Sequence, residues 1–165
     1  MHAATFPNDG HTGTDFRLTG MAKMRQGVAV LAAAGGIVSG LRDGESDIPA
    51  LINPSIPETG KHAAGNTVCI DHGGGWETQY SHMLKGSVTV HMGQKVLAGD
   101  QLGMLGLSGN TEFPHLDFTV RQNSRALDPF APYSKSGCKT GKNILWDTEI
   151  LNNLSYIPTG ILLAG

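Results

Sequence analysis

Glycine decides most about what this chain can become: 23 of its 165 residues are Gly, spread so that few apolar runs last longer than a short strand. Charged residues make up only 16%, below the usual quarter, which leaves little material for long solvated helices. The combination predicts a mainly β domain of short antiparallel strands joined by many turns. A chain of this length suits one domain with its own buried core. The net charge of −2 gives no attraction to nucleic acid or an anionic membrane surface. The longest apolar run, Val28 to Val38, is broken by Gly35 and Gly36 and is too short to span a bilayer. The start shows no signal-peptide pattern, and the chain ends in the apolar Ile161-Leu162-Leu163-Ala164-Gly165, so it reads as an excised domain.

Val28–Ala32 and Gly36–Gly40 read as two strands joined by a small-residue turn. Residues 41–65 contain Asp43-Gly44 and three prolines and read as the long loop of the domain. Asn66–His72, the turn Gly73-Gly74-Gly75 and Glu77–Met83 predict a hairpin, which Val88–His91, Gln101–Leu107 and His115–Arg121 extend into a meander. From Leu145 to Tyr156 the apolar spacing becomes helical. Residues 1–140 are therefore expected to form the domain, and 141–165 a helical tail that begins a further segment. Cys69 and Cys138 permit one disulfide but form no metal-binding CxxC.

Three pairs of polar side chains carry possible chemistry. In an extended His11-Thr-Gly-Thr-Asp15, His11 and Asp15 share a face, and an imidazole beside a carboxylate makes two metal ligands. In Pro114-His-Leu-Asp-Phe-Thr-Val120, alternation puts His115, Asp117 and Thr119 on one face and Leu116, Phe118 and Val120 on the core face. Tyr80 and His82 are expected to share a face of the preceding strand, away from Gln79 and Ser81. Each pair alone also suits a solvated strand edge or a buried structural histidine; their convergence points to a site. His72 reads as structural, His2, His62 and His91 as solvated, and Trp76 and Trp146 as packing residues.

The ordered motifs carry a resemblance over residues 7–133. His11-Thr-Gly-Thr-Asp15, Gly27–Val38, Gly65–Gly73, Thr78-Gln-Tyr-Ser-His82, Gly93–Gly103, Gly106-Leu-Ser-Gly109, Pro114-His-Leu-Asp-Phe118, Val120-Arg121 and Leu127-Asp-Pro-Phe130 occur in the order of the lysostaphin-like (LytM-like) zinc endopeptidases, which the chain resembles. The resemblance implies an antiparallel β-sheet domain of the lysostaphin/LytM type, barrel-sandwich hybrid-like, with a short C-terminal helix. It also implies one zinc ion, hydrolysis of peptide cross-links in bacterial peptidoglycan, and work in the cell envelope or outside it. His11 and Asp15 match the first two zinc ligands. His115 and His82 match the catalytic histidines, either of which would take the proton of the attacking water. Tyr80 matches a position near the cleft and is a candidate substrate-binding residue. Residues 41–65 would wall the groove.

One position departs from the pattern. The family closes its last motif as His-x-His, and the second histidine, the third zinc ligand, is Asp117 here. A carboxylate still reaches a metal, but two carboxylates leave a divalent ion less positive and soften the preference for zinc over other divalent metals. A weaker site and slower hydrolysis are expected. The same departure supports the alternative of a weak or inactive relative that binds the wall or activates other wall hydrolases. A third reading, a biotinyl- or lipoyl-type carrier domain, would need a lysine at a hairpin tip, and Met21-Ala-Lys-Met24 is the nearest match.

Overall fold

Eleven short strands and two short α-helices make up most of the regular structure among the described residues. A computed structural model describes residues 2–4, 12–53, 62–133, 144–153 and 155–157; His11 and Cys138 lie outside these. The strands are β1 (His2–Ala4), β2 (Thr14–Arg17), β3 (Ala29–Leu31), β4 (Gly36–Arg42), β5 (Asn66–Gly73), β6 (Trp76–Met83), β7 (Lys95–Val96), β8 (Gln101–Met104), β9 (His115–Gln122), β10 (Arg125–Leu127) and β11 (Ser155–Ile157). Two short helices, α1 (Met21–Arg25) and α2 (Thr148–Asn153), accompany them. Nine strands form one sheet in the order β11-β1-β2-β9-β6-β5-β4-β7, with β10 on β9, and β3 and β8 make a second small sheet. All pairs are antiparallel except β1 with β11. The predicted mainly antiparallel β class is the observed one.

Alternation explains where the core lies. Val68 and Ile70 of β5, Tyr80 of β6, and Phe118 and Val120 of β9 point to one face and are buried with Val38, Val96, Leu102 and Phe130. The opposite face of β9, β6 and β5 carries the polar set His115, Asp117, Thr119, Gln79, Ser81 and Cys69. Trp146 closes the apolar side, its ring 5.8, 5.6 and 5.6 Å from those of Phe16, Phe118 and Phe130. The segment set apart as a tail beyond residue 141 thus contributes Trp146 and Leu151 to the packing around the core. Helix covers only Thr148–Asn153 of the expected Leu145–Tyr156.

The connectivity differs from a meander. β6 pairs with β9 on its far side, so β9 returns across the hairpin to sit between β6 and β2. The two strands expected to follow one another at residues 28–40 belong to different sheets: β3 pairs with β8, and β4 with β5 and β7. The turn between them is held open, since Ala33 N–H donates to the Tyr80 hydroxyl (2.8 Å) and Ala32 N–H to the Asp100 carbonyl. Val88–His91 is no strand. Side chains take two of its backbone donors: Val88 N–H goes to Asp43 Oδ2 and His91 N–H to Gln94 Oε1, while Thr89 N–H alone reaches a strand, at the Leu102 carbonyl. Side-chain acceptors on either side of that single bond interrupt the ladder that a strand would need.

The near half of the long loop is stapled down by its own acids. Asp43 accepts from Gly86 and Val88 N–H, and Asp47 from Lys85 and Leu107 N–H. Met21-Ala-Lys-Met24 lies on α1 rather than at a hairpin tip, which removes the carrier-domain reading.

Candidate active site

β2 and β9 bring the first acidic pair together. Asp15 stands directly opposite Asp117, and Arg17 opposite His115. Facing residues on neighbouring antiparallel strands have Cβ atoms roughly 5 Å apart and point the same way, so both carboxylates share the polar face. Asp15 is 5% exposed and His115 5%. His115 Nε2 is 3.6 Å from Asp15 Oδ1. The Asp117 carboxylate leans over Gly13, where any Cβ would overlap its Oδ1, and Thr119 Oγ1 donates to that same oxygen at 3.4 Å. Asp117 therefore lies against the middle of the His11–Asp15 motif. His11 itself is outside the described residues.

His115 is held by its other nitrogen. Nδ1 is 3.0 Å from the Phe113 carbonyl, which can only accept, so Nδ1 carries a proton and Nε2 is the atom aimed at Asp15. Thr111 Oγ1 also donates to that carbonyl and lies 3.1 Å from Nδ1. Fixing one ring nitrogen in this way sets the orientation and tautomer of the other.

His82 reaches the same face by a different route. Strict alternation would turn it into the core with Tyr80. Between Tyr80, which pairs with Val68, and Met83, which pairs with Asn66, β6 takes three steps against two on β5. Ser81 and His82 together oppose Thr67, a β-bulge, and His82 adopts φ 61°. Bulges bend a strand and re-aim a side chain, often beside an active site. Here the ring of His82 comes to rest 4.6 Å from that of His115, centroid to centroid. Its Nδ1 donates to the Ser108 carbonyl at 2.7 Å. Left-handed φ at a residue with a Cβ costs about 1–3 kcal/mol and persists only where its surroundings hold it.

Those surroundings form a buried polar clamp. Ser108 Oγ donates to the Met83 carbonyl and accepts from Asn66 N–H, while Asn66 Nδ2 donates to the Glu45 and Met83 carbonyls. Gly65, at φ +61°, lies against the Ser108 backbone where a Cβ cannot fit. Gly65→Ala is expected to destabilise the fold by about 1–3 kcal/mol and to displace the His82 anchor, seen as a lower denaturation midpoint and altered His82 NMR shifts.

Tyr80 requires a correction. It does not share a face with His82: the bulge separates them, and Tyr80 is 1% exposed, opposite Phe118 on the core face with its ring 5.3 Å away. Its hydroxyl takes the Ala33 N–H and a 3.2 Å bond from Thr78. It is placed to brace the core, not to touch a substrate. His72 behaves as expected of a structural histidine, with both ring nitrogens 2.8 Å from partners, the Gly35 carbonyl and Thr78 Oγ1. Cys69 keeps a free thiol whose pKa is raised, first by burial and then by the Glu77 carboxylate.

Burial, and after it the neighbouring His115, lowers the His82 pKa to about 4. A folded imidazole with a depressed pKa stays neutral where the unfolded chain already binds a proton. Its stabilisation is complete above the unfolded value near 6.5 and is lost as pH falls towards 4. Metal-free protein should lose about 2 kcal/mol more than a His82→Gln variant between about pH 7.5 and about pH 5, measured by denaturant titration.

The residues present fit a divalent cation. Like charges directly opposite across a strand pair repel, and burial on one side sharpens that repulsion. A cation between Asp15 and Asp117 reverses its sign, and oxygen and imidazole donors suit zinc and related metals. Among the described residues, no group of three or more His, Cys, Asp or Glu side chains is set to hold a metal.

Peptidase family M23 matches residues 9–129, most of the chain and every one of these side chains. The chain belongs to peptidase family M23. Among curated relatives, it is 31% identical over 130 residues to the cell division protein DipM of Caulobacter vibrioides, covering 75% of this chain and 20% of DipM. It is 37% identical over 65 residues to the peptidoglycan DD-endopeptidase ShyA of Vibrio cholerae, covering 39% of this chain and 15% of ShyA. The chain spans about a fifth of the length of these relatives, or less. Among solved structures, a zinc-containing peptidase from Vibrio cholerae superposes with a TM-score of 0.54 at 26% identity, over 75% of this chain and 32% of that one. The catalytic domain of lysostaphin from Staphylococcus simulans gives 0.52 at 26% identity, over 77% and 84%. The fold is the lysostaphin/LytM type expected from the motifs.

Proposed function

We propose that this M23 domain is a metal-dependent endopeptidase that hydrolyses peptide cross-links of bacterial peptidoglycan. One observation carries the reading: two carboxylates, Asp15 and Asp117, stand in register on a polar sheet face beside two buried imidazoles whose ring centroids are 4.6 Å apart. The similarity to peptidoglycan DD-endopeptidases supports the substrate class. Work on that substrate would place the domain in the cell envelope or outside the cell. No helix among the described residues is long and apolar enough to cross a membrane.

In this reading Asp15, Asp117 and His11 hold the ion, zinc or another divalent metal. When bound, it supplies Lewis-acid polarisation of the scissile carbonyl and activation of water. The protein's own part falls to the imidazoles. His82 and His115 each have Nδ1 tied to a backbone carbonyl, which leaves Nε2 as the atom that gains or gives a proton. Rings this close share a charge poorly, so the pair takes up one proton at a time. One histidine accepts the proton of the attacking water, and the pair returns a proton to the departing amine. Gln79 and Asp117, the half-buried members of the polar face of β6 and β9, are the side chains that an extended peptide would meet there.

Asp117 also favours a second reading, a wall-binding relative that regulates other hydrolases. The experiment that separates the two measures metal content after purification without added zinc, then cleavage of purified peptidoglycan by mass spectrometry. Bound metal with released cross-link fragments supports the hydrolase. A site that stays empty with zinc supplied in excess, and intact wall, would sink it.

A further inference from the structure

Arg17 sits two residues beyond Asp15 on β2, on the same polar face, directly opposite His115. Phe16 between them is buried in the core, which fixes that orientation. The Arg17 guanidinium lies 4.1 Å from the centroid of the Phe113 ring, and that ring lies 4.9 Å from the ring of His115. The stack occupies the face of the cation and leaves its edge donors unused. Nε is buried without a hydrogen-bond partner among the described residues, and none of their ion pairs involves Arg17. A buried donor on a permanent charge is expensive unless an acceptor arrives.

We propose that Arg17 is a specificity-determining residue that binds a carboxylate of the substrate peptide, one or two residues from the bond that is cut. This deepens the hydrolase reading and rests on it. The guanidinium is a planar fork whose paired N–H donors match two carboxylate oxygens, and a primary amide in the same place offers one oxygen and no charge. Two residues along a strand are about 7 Å, and an extended peptide spans roughly 3.5 Å per residue, which sets the offset from the reacting carbonyl. Phe113 positions the fork from beneath, and links it through ring packing to the catalytic His115.

The test compares cross-linked muropeptides with free carboxylates against the same preparation chemically amidated. Wild-type protein should favour the free-acid form by about tenfold or more in kcat/KM, mostly through KM. In Arg17→Gln the ratio should fall to near unity, and Arg17→Lys, which keeps the charge and loses the fork, should fall between. Binding of both forms, measured by calorimetry, runs in parallel. If wild type cleaves neither form, the hydrolase reading fails, yet tighter Arg17-dependent binding of the free acid still supports the proposal. Equal handling of both forms by wild type, a preference unchanged in Arg17→Gln, or no binding of either form would overturn it. Should Arg17→Gln fail to fold, the wild-type comparison and Arg17→Lys remain decisive.

Discussion

His115→Ala should reduce cleavage of cross-linked wall peptide by about 10²- to 10⁴-fold, the range typical for loss of a positioned acid or base. The expectation follows from three contacts of one ring: its Nδ1 to the Phe113 carbonyl, its Nε2 towards Asp15, and its tilted approach to the His82 ring. Alanine removes the proton carrier while leaving β9 paired on both sides, so the fold should persist. Steady-state rates on a defined cross-linked muropeptide, with circular dichroism as a folding control, provide the measurement. The substitution also strips a neighbour whose charge depresses the His82 pKa, so residual activity should show a shifted acidic limb. A rate within a few-fold of wild type would remove His115 from the chemistry.

Asp117→His should act in the opposite direction. It restores the His-x-His ending and replaces one of two facing carboxylates by a neutral ligand. With one carboxylate fewer, the side chains proposed to hold the ion would leave it a net positive charge, which would strengthen its polarisation of a carbonyl and of water. Zinc affinity should rise by about tenfold or more, since even groups outside the ligand set change affinity on that scale. Activity should rise with it. The imidazole must occupy the space over Gly13 that the carboxylate now fills, and Thr119 loses its acceptor. Competition against a chromophoric chelator measures the affinity. If neither affinity nor rate responds, Asp117 is no ligand.

The period-two pattern of Leu116, Phe118 and Val120 against His115, Asp117 and Thr119 was legible because both faces of β9 are committed, one to the core and one to the site. The family and fold could be read from the ordered motifs for the same reason: glycines and strand alternation leave marks in sequence. Tyr80 and His82 defeated that logic. A bulge shows no residue of its own, and His82 is an ordinary strand residue until Asn66, Ser108 and Gly65 are seen to anchor it across some 40 residues of chain. The motif Gly106-Leu-Ser-Gly109 was visible, but its purpose, to present the Ser108 carbonyl to His82, was not. The loss of Val88–His91 as a strand has a similar origin, since the Asp43 carboxylate that claims the Val88 donor comes from 45 residues away. Arg17 escaped notice because its importance lies in Phe113, distant in sequence and adjacent in space.

The extra residue at Ser81-His82 divides β6 into two stretches under different rules. Up to Tyr80 the pleat dictates what each position accepts, so substitutions there register as altered melting. Beyond it, the chain has slipped free of that metre, and His82 answers to the geometry of its neighbours across the sheet rather than to hydrophobic pattern. Evolution could therefore retune the chemistry at one end of this strand without renegotiating the packing at the other.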